Sequence, residues 1–194
     1  MNKFLSIGLV LGLLLTSVVL FSTKENASDL PPDSSSGKAQ VGGAFTLIDS
    51  DGKTRSDTEF RGKNMLVFFG FTHCPHICPT TMGTITSTMN LLGDKAALIA
   101  PIFITIDVKN DTPARLKEYF ANFDSRIVAL TGNDEQIKAV ASAYKTYYAQ
   151  QEGGMMDHSS LLYLMNTQGE YVAHFAYDIA PDALAKKLLE NIKP

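Results

Sequence analysis

Three observations predict an α/β domain with a central mixed sheet flanked by helices. Two apolar runs of buried-strand length, Met65–Phe69 and Ile99–Ile106, are separated by a stretch of helical periodicity. Further strand and helix patterns then alternate before a closing hairpin and helix. The chain of 194 residues is 45% hydrophobic and 19% charged, which suits one well-filled core and excludes a disordered chain.

Taken in order, Phe45-Thr46-Leu47-Ile48, a turn at Asp49-Ser50-Asp51-Gly52 and Lys53-Thr54-Arg55 read as a hairpin. Met65–Phe69 is the first buried strand. Pro79 to Leu92 reads as a helix, because Met82, Ile85, Met89 and Leu92 recur at helical spacing. Pro79 suits its first turn and Gly93 its C′ position. After the strand Ile99–Ile106, Thr112 is the expected N-cap of a helix with Pro113 at N1. Ile127–Leu130 reads as a strand and Asp134–Tyr144 as a helix. Leu161–Met165 and Tyr171–Phe175 form a hairpin around Gln168-Gly169, and Pro181–Ile192 is the last helix. This order suggests an α/β sandwich of the thioredoxin type, spanning residues 44–194.

Residues 1–23 carry a different message. From Phe4 to Thr23 there is no charge, only Lys3 precedes the stretch, and about 20 apolar residues suffice to span a bilayer. A cleaved signal peptide is the alternative, but the exit Leu20-Phe21-Ser22-Thr23 has no A-x-A pattern. We therefore expect a single-pass anchor in a bacterial inner membrane, with the soluble domain in the periplasm. A mitochondrial transit peptide is amphipathic and Arg-rich, and this segment is neither. Residues 24–43, rich in Ser, Pro, Asp and Gly, read as a flexible linker.

Charge and cysteine count exclude several functions. The 17 Lys and Arg against 20 Asp and Glu give a net charge of −3 with no basic block, so no nucleic-acid partner is expected. Two cysteines rule out a disulfide scaffold, an iron–sulfur protein and a four-cysteine zinc site.

Those two lie in Gly70-Phe71-Thr72-His73-Cys74-Pro75-His76-Ile77-Cys78-Pro79, between a strand and a helix. Cys78 falls at or just before the helix start, where amide N–H groups favour a thiolate, and both sulfurs are expected at one exposed edge of the sheet. Three readings stay open. A structural disulfide across so short a loop removes only about 2 kcal/mol of unfolded-state entropy. A redox dithiol needs no more than the pair. A metal site suits soft thiolates four positions apart, monovalent copper above all, but requires a third ligand. A peroxidase usually pairs Thr-x-x-Cys with a nearby Arg. Here Thr72 is two positions before Cys74 and no Arg is close in sequence.

His158 is the candidate third ligand, in the glycine-led loop Gly153-Gly154-Met155-Met156-Asp157-His158 that enters a late strand. His73 and His76 flank Cys74 in an exposed loop, and His174 alternates within a strand. Met155 and Met156 offer either soft thioethers or an adaptable contact surface.

Gly70-Phe71-Thr72-His73-Cys74-Pro75 with Cys78-Pro79, and Asp157-His158-Ser159 downstream, resemble the Sco/SenC family of cytochrome oxidase assembly proteins. Gly42-Gly43-Ala44-Phe45, Phe103–Asp107, Asp111-Thr112-Pro113, Leu130-Thr131-Gly132 and Tyr163-Leu164 fall in the family's order. The resemblance implies a thioredoxin fold on one membrane anchor. It also implies copper held by Cys74, Cys78 and His158, and a role in building the copper A centre of cytochrome c oxidase subunit II. The implied partners are that copper-bearing subunit and a thiol reductant of the cysteine pair. The alternative is a thiol–disulfide oxidoreductase that reduces the acceptor's own cysteines. Asp107 matches a residue sometimes given an acidic helper role, and equally suits capping a strand end or bonding loop amides.

Overall fold

The computed structural model describes residues 40–151 and 155–192. The expected anchor lies outside the described residues, as does the expected linker up to residue 39. Among the described residues no helix is long and apolar enough to cross a membrane.

A seven-stranded mixed sheet organises the domain. Its strands are β1 (Thr46–Asp49), β2 (Thr54–Ser56), β3 (Asn64–Gly70), β4 (Ile99–Thr105), β5 (Val128–Thr131), β8 (Leu161–Met165) and β9 (Tyr171–Ala176). The order across the sheet is β2-β1-β5-β4-β3-β8-β9. β3 runs parallel to β4 and β4 to β5, whereas β1, β2, β8 and β9 are antiparallel to their neighbours. Every residue of β3 and β4 is buried, which is why both segments are continuous apolar runs rather than alternating ones.

Among the described residues four α-helices complete the sandwich: α1 (Ile77–Leu91), α2 (Pro113–Phe120), α3 (Asp134–Ala143) and α4 (Pro181–Asn191). α1 packs on α4, where Thr88 Oγ1 donates to the Pro181 carbonyl at 3.2 Å, and α2 packs on β5. The local signals operate as expected. Thr112 Oγ1 accepts from the Arg115 amide at 3.2 Å, and Gly93 closes α1 at φ +51°, where a side chain would be strained. Val41 packs against the core and the Gly42 amide donates to the Ala143 carbonyl at 2.9 Å, so the chain is docked on the domain from there.

Two further strands escaped the periodicity argument. β6 (Tyr148–Gln150) and β7 (Met156–His158) pair only with each other, as a separate antiparallel ribbon. His158 therefore ends a strand rather than sitting in a loop.

Topology alone then positions the site. The parallel strands β3 and β4 end side by side, with the Ile106 amide donating to the Gly70 carbonyl at 2.9 Å. Loops leaving the carboxyl ends of parallel strands are where α/β sheets build sites. β8 runs back along β3 with Phe68 opposite Leu162, so the residues just before β8 reach the same edge. Those residues include His158.

Candidate metal centre

α1 begins at Ile77, one residue before Cys78, and this small offset decides the character of the two thiols. As the second helical residue, Cys78 turns inward and is fully buried, while Cys74 in the preceding loop is half-buried. Gly70 makes room for it: a Cβ there would come within 2.8 Å of Cys78 Sγ and 2.9 Å of Phe103. Both cysteines are free thiols.

The first-turn amides converge on Cys74, not on Cys78. The Cys78 thiol and amide donate to Cys74, the amide at 3.5 Å, with help from the His76 and Ile77 amides. These donors stabilise the charged form and pull the Cys74 thiol down to about 5. Cys78 moves the other way, because it donates to Cys74 and sits in an apolar interior. The expectation of a Cys78 thiolate at an exposed edge is thus corrected: the charge sits on Cys74 and Cys78 holds the proton. Iodoacetamide should accordingly alkylate Cys74 alone in the native protein, with a rate that is half-maximal near pH 5. Alkylation that begins only near pH 8 would contradict this division of charge.

Beneath the loop lies a polar network that sequence reasoning missed. Asp111 is fully buried and accepts from the Thr72 amide at 3.0 Å, Thr72 Oγ1 at 2.6 Å and Thr105 Oγ1 at 2.6 Å. Arg115 Nε adds a bond to Thr72 Oγ1 at 3.2 Å. An arginine is therefore near the thiol loop in space, carried there by α2, although none is near in sequence. The sequence marked Asp111 only by its place just before the Thr112 cap and within the Asp111-Thr112-Pro113 motif, neither of which indicated a buried acceptor.

The other sequence candidates take varied places. Asp107 is buried, and its carboxylate accepts from Asn110 Nδ2 at 2.8 Å and lies 3.4 Å from His73 Nδ1. It thus bonds within its own loop and reaches the residue before Cys74. His76 is the exposed N-cap of α1, and His174 on β9 meets the Tyr171 hydroxyl. Met155 is exposed, whereas Met156 packs against the core from the same ribbon as His158.

His158 stands edge-on to two rings, with centroids 6.1 Å from Phe68 and 6.0 Å from Phe71. Phe71 in turn packs on His73 at 4.7 Å, and its carbonyl accepts from the Cys74 amide at 3.3 Å. The imidazole and the thiol loop therefore share one aromatic wall. His158 Nδ1 lies 3.2 Å from the Ser159 carbonyl, which can only accept, so Nδ1 carries the proton and Nε2 bears the lone pair. Nε2 is buried and has no hydrogen-bond partner among the described residues. Burial keeps the ring neutral by lowering its pKa, against the opposing pull of the Ser159 carbonyl and the Cys74 charge.

The structure brings the two cysteines together and places His158 at the same edge. Among the described residues, however, no three His, Cys, Asp or Glu side chains are gathered closely enough to hold a metal ion. The donor types still suit a soft monovalent cation: one thiolate, one adjacent thiol, and a neutral imidazole with an orphaned lone pair.

Comparison with known proteins agrees with this reading of the fold. The family model described as SCO1/SenC matches residues 33–193. An SCO2-like protein of Rickettsia prowazekii is 42% identical over 80% of this chain and 77% of its own length. The copper-bound structure of Bradyrhizobium japonicum ScoI is 35% identical and superposes with a TM-score of 0.71, covering 78% of this chain and 99% of that one. Arabidopsis thaliana ScoI with copper bound gives a TM-score of 0.74 at 33% identity, over 77% and 96% of the two chains. A match that takes in the whole folded domain, thiol loop and His158 ribbon included, leaves one assignment: this chain belongs to the SCO1/SenC family.

Proposed function

We propose that this chain is a copper metallochaperone that supplies the copper A centre of cytochrome c oxidase, tethered to a bacterial inner membrane with residues 44–194 in the periplasm. Its cargo is held by Cys74, Cys78 and the Nε2 atom of His158. The observation that carries this reading is the orphaned, buried Nε2 on the wall it shares with a thiolate–thiol pair. A buried acceptor without a partner costs about 1–3 kcal/mol unless something occupies it. Copper-bound relatives at 33% and 35% identity point to the same cargo.

Loading requires two changes in this chain. Cys78 gives up its proton, and the ribbon carrying His158 closes on the thiol loop. Three ligands leave one side of the ion open, so an acceptor thiolate can attach before a donor departs. Transfer is then ligand exchange, without release into water.

X-ray absorption of the copper-loaded chain should count two sulfur neighbours and one nitrogen. Two sulfurs with no nitrogen would remove His158 from the site. The proton ledger gives a second check. Near neutral pH Cys74 is already ionised and His158 neutral, so only Cys78 loses a proton on loading. Cu(I) affinity should therefore rise about tenfold per pH unit.

A thiol–disulfide oxidoreductase is the second reading, favoured by one observation. Cys74 combines a lowered pKa with partial exposure, as an attacking thiolate requires. That activity needs the two cysteines and a thiol reductant, but not His158.

A further inference from the structure

Among the described residues, two buried side-chain polar atoms lack a hydrogen-bond partner: His158 Nε2 and the Tyr119 hydroxyl. Buried polar groups are nearly always paired, so each orphan calls for an explanation. Nε2 is the proposed nitrogen ligand. Tyr119 lies on α2, outside the ligand set, and its hydroxyl has no role in the fold.

Topology places Tyr119 against the helix that carries Cys78. β3-α1-β4 and β4-α2-β5 are successive crossovers between parallel strands, so α1 and α2 lie on one face of the sheet. Two contacts fix their alignment. Near the start of α2, Arg115 Nε reaches Thr72 Oγ1 in the thiol loop at 3.2 Å. Just beyond its end, the Asp124 amide donates to Thr86 Oγ1 on α1 at 3.1 Å. Tyr119 falls between them and shares a face of α2 with Arg115 at i,i+4 spacing, so it looks onto α1 between Cys78 and Thr86.

The rings trace the same path. Tyr119 packs on Phe120 with centroids 5.2 Å apart, and Phe120 on Phe103 at 4.9 Å. Phe103 and Cys78 Sγ then border the same space beside Gly70. Burial raises the pKa of the Tyr119 hydroxyl, and the negative charge that Cys78, Cys74 and Asp111 can carry raises it further. Its proton therefore stays in place at neutral pH, and the group is a donor without an acceptor, within the field of the thiol pair. Cys78 Sγ already accepts from the Phe71 amide while donating to Cys74. Once that donation ends, the sulfur can accept from a second donor.

We propose that the Tyr119 hydroxyl donates a hydrogen bond to Cys78 Sγ when the copper site is occupied, and so holds the buried sulfur in its ligand position. Tyr119 is a positioning residue, since it touches the ligand and not the ion. The bond offsets part of the cost of a charged sulfur in an apolar interior and gives the orphaned hydroxyl its partner. This inference rests on the metallochaperone reading for the occupied state.

The test uses the full chain in detergent, labelled with tyrosine carrying carbon-13 at Cζ. The NMR resonance absent from Tyr119→Phe belongs to Tyr119, and in the wild type it should move on adding Cu(I). Tyr119→Phe keeps the ring contacts with Phe120 and Phe123 and removes the oxygen alone. It should bind Cu(I) about tenfold more weakly, a loss usual for the partner of a ligand. X-ray absorption of the loaded variant should count the same neighbours as in the wild type. The urea midpoint of the copper-free variant should be no lower than the wild type's, because an unpartnered buried hydroxyl does not stabilise the empty fold. Wild-type affinity in Tyr119→Phe would overturn the proposal. Weaker binding together with a lower copper-free midpoint would make the hydroxyl part of the fold and equally reject it. A wild-type chain that takes up no copper sinks the metallochaperone reading and the inference with it. Copper uptake that leaves the Tyr119 resonance unmoved defeats the inference alone.

Discussion

Anaerobic Cu(I) titration of Cys74→Ser is expected to give an affinity at least about 100-fold below that of the wild type, since even partners of ligands are worth 10–100-fold. The hydroxyl that replaces the sulfur is a hard, protonated donor with little attraction for monovalent copper. Cys74 is the cleaner of the two cysteine tests because it is half-buried and its loss leaves the core intact. Cys78→Ser should lose as much affinity but also places a hydroxyl among Gly70, Phe103 and the inner face of α1. That burial costs about 1–3 kcal/mol, so its unfolding midpoint must be measured alongside. His158→Ala separates the two functional readings. It should lower copper affinity by a comparable factor while disulfide exchange by Cys74 and Cys78 persists. Undiminished affinity in His158→Ala would leave a two-sulfur site, and an oxidoreductase would then be the better description.

Which parts of this site were legible in the sequence follows from which interactions are local. β3 and β4 announced themselves because strands buried on both faces must be apolar throughout. The Thr112 cap and the Pro113 start of α2 are likewise decided within four residues. The ribbon was not legible. Tyr148-Ala149-Gln150 and Met156-Asp157-His158 are three residues each, with no alternation that separates them from loop. Their pairing is a tertiary fact. The assignment of the thiolate failed for a finer reason: α1 starts at Ile77, two residues before the expected Pro79, and this redirects the first-turn amides from Cys78 to Cys74. Asp111 was hidden more deeply, since its partners Thr72 and Thr105 come from the ends of two strands that only the sheet brings together.

Asp111→Ala should be the most destabilising single substitution near the site. Asp111 is fully buried, and its carboxylate is the common acceptor for three donors, the Thr72 amide, Thr72 Oγ1 and Thr105 Oγ1. Removing it strands all three, and a buried unsatisfied donor costs about 1–3 kcal/mol. Allowing for water entering the space, the loss of unfolding free energy should be about 3–5 kcal/mol, a large share of the 5–15 kcal/mol that holds a domain together. Asp111→Asn keeps one acceptor oxygen and should lose about half as much. Arg115→Ala is the control, because it removes one bond to the same Thr72 from an exposed side chain and should cost under about 1 kcal/mol. Urea unfolding of the four proteins measures this order directly. The consequence reaches the thiols, since Thr72 is only two residues from Cys74 and its amide is the loop's anchor to the sheet. In Asp111→Asn, which should remain folded, a loosened loop disperses the amides around Cys74, so alkylation should require a higher pH than in the wild type. A substitution series in which stability falls while the alkylation profile stays fixed would make Asp111 a fastener of the fold alone, with no hold on the thiolate.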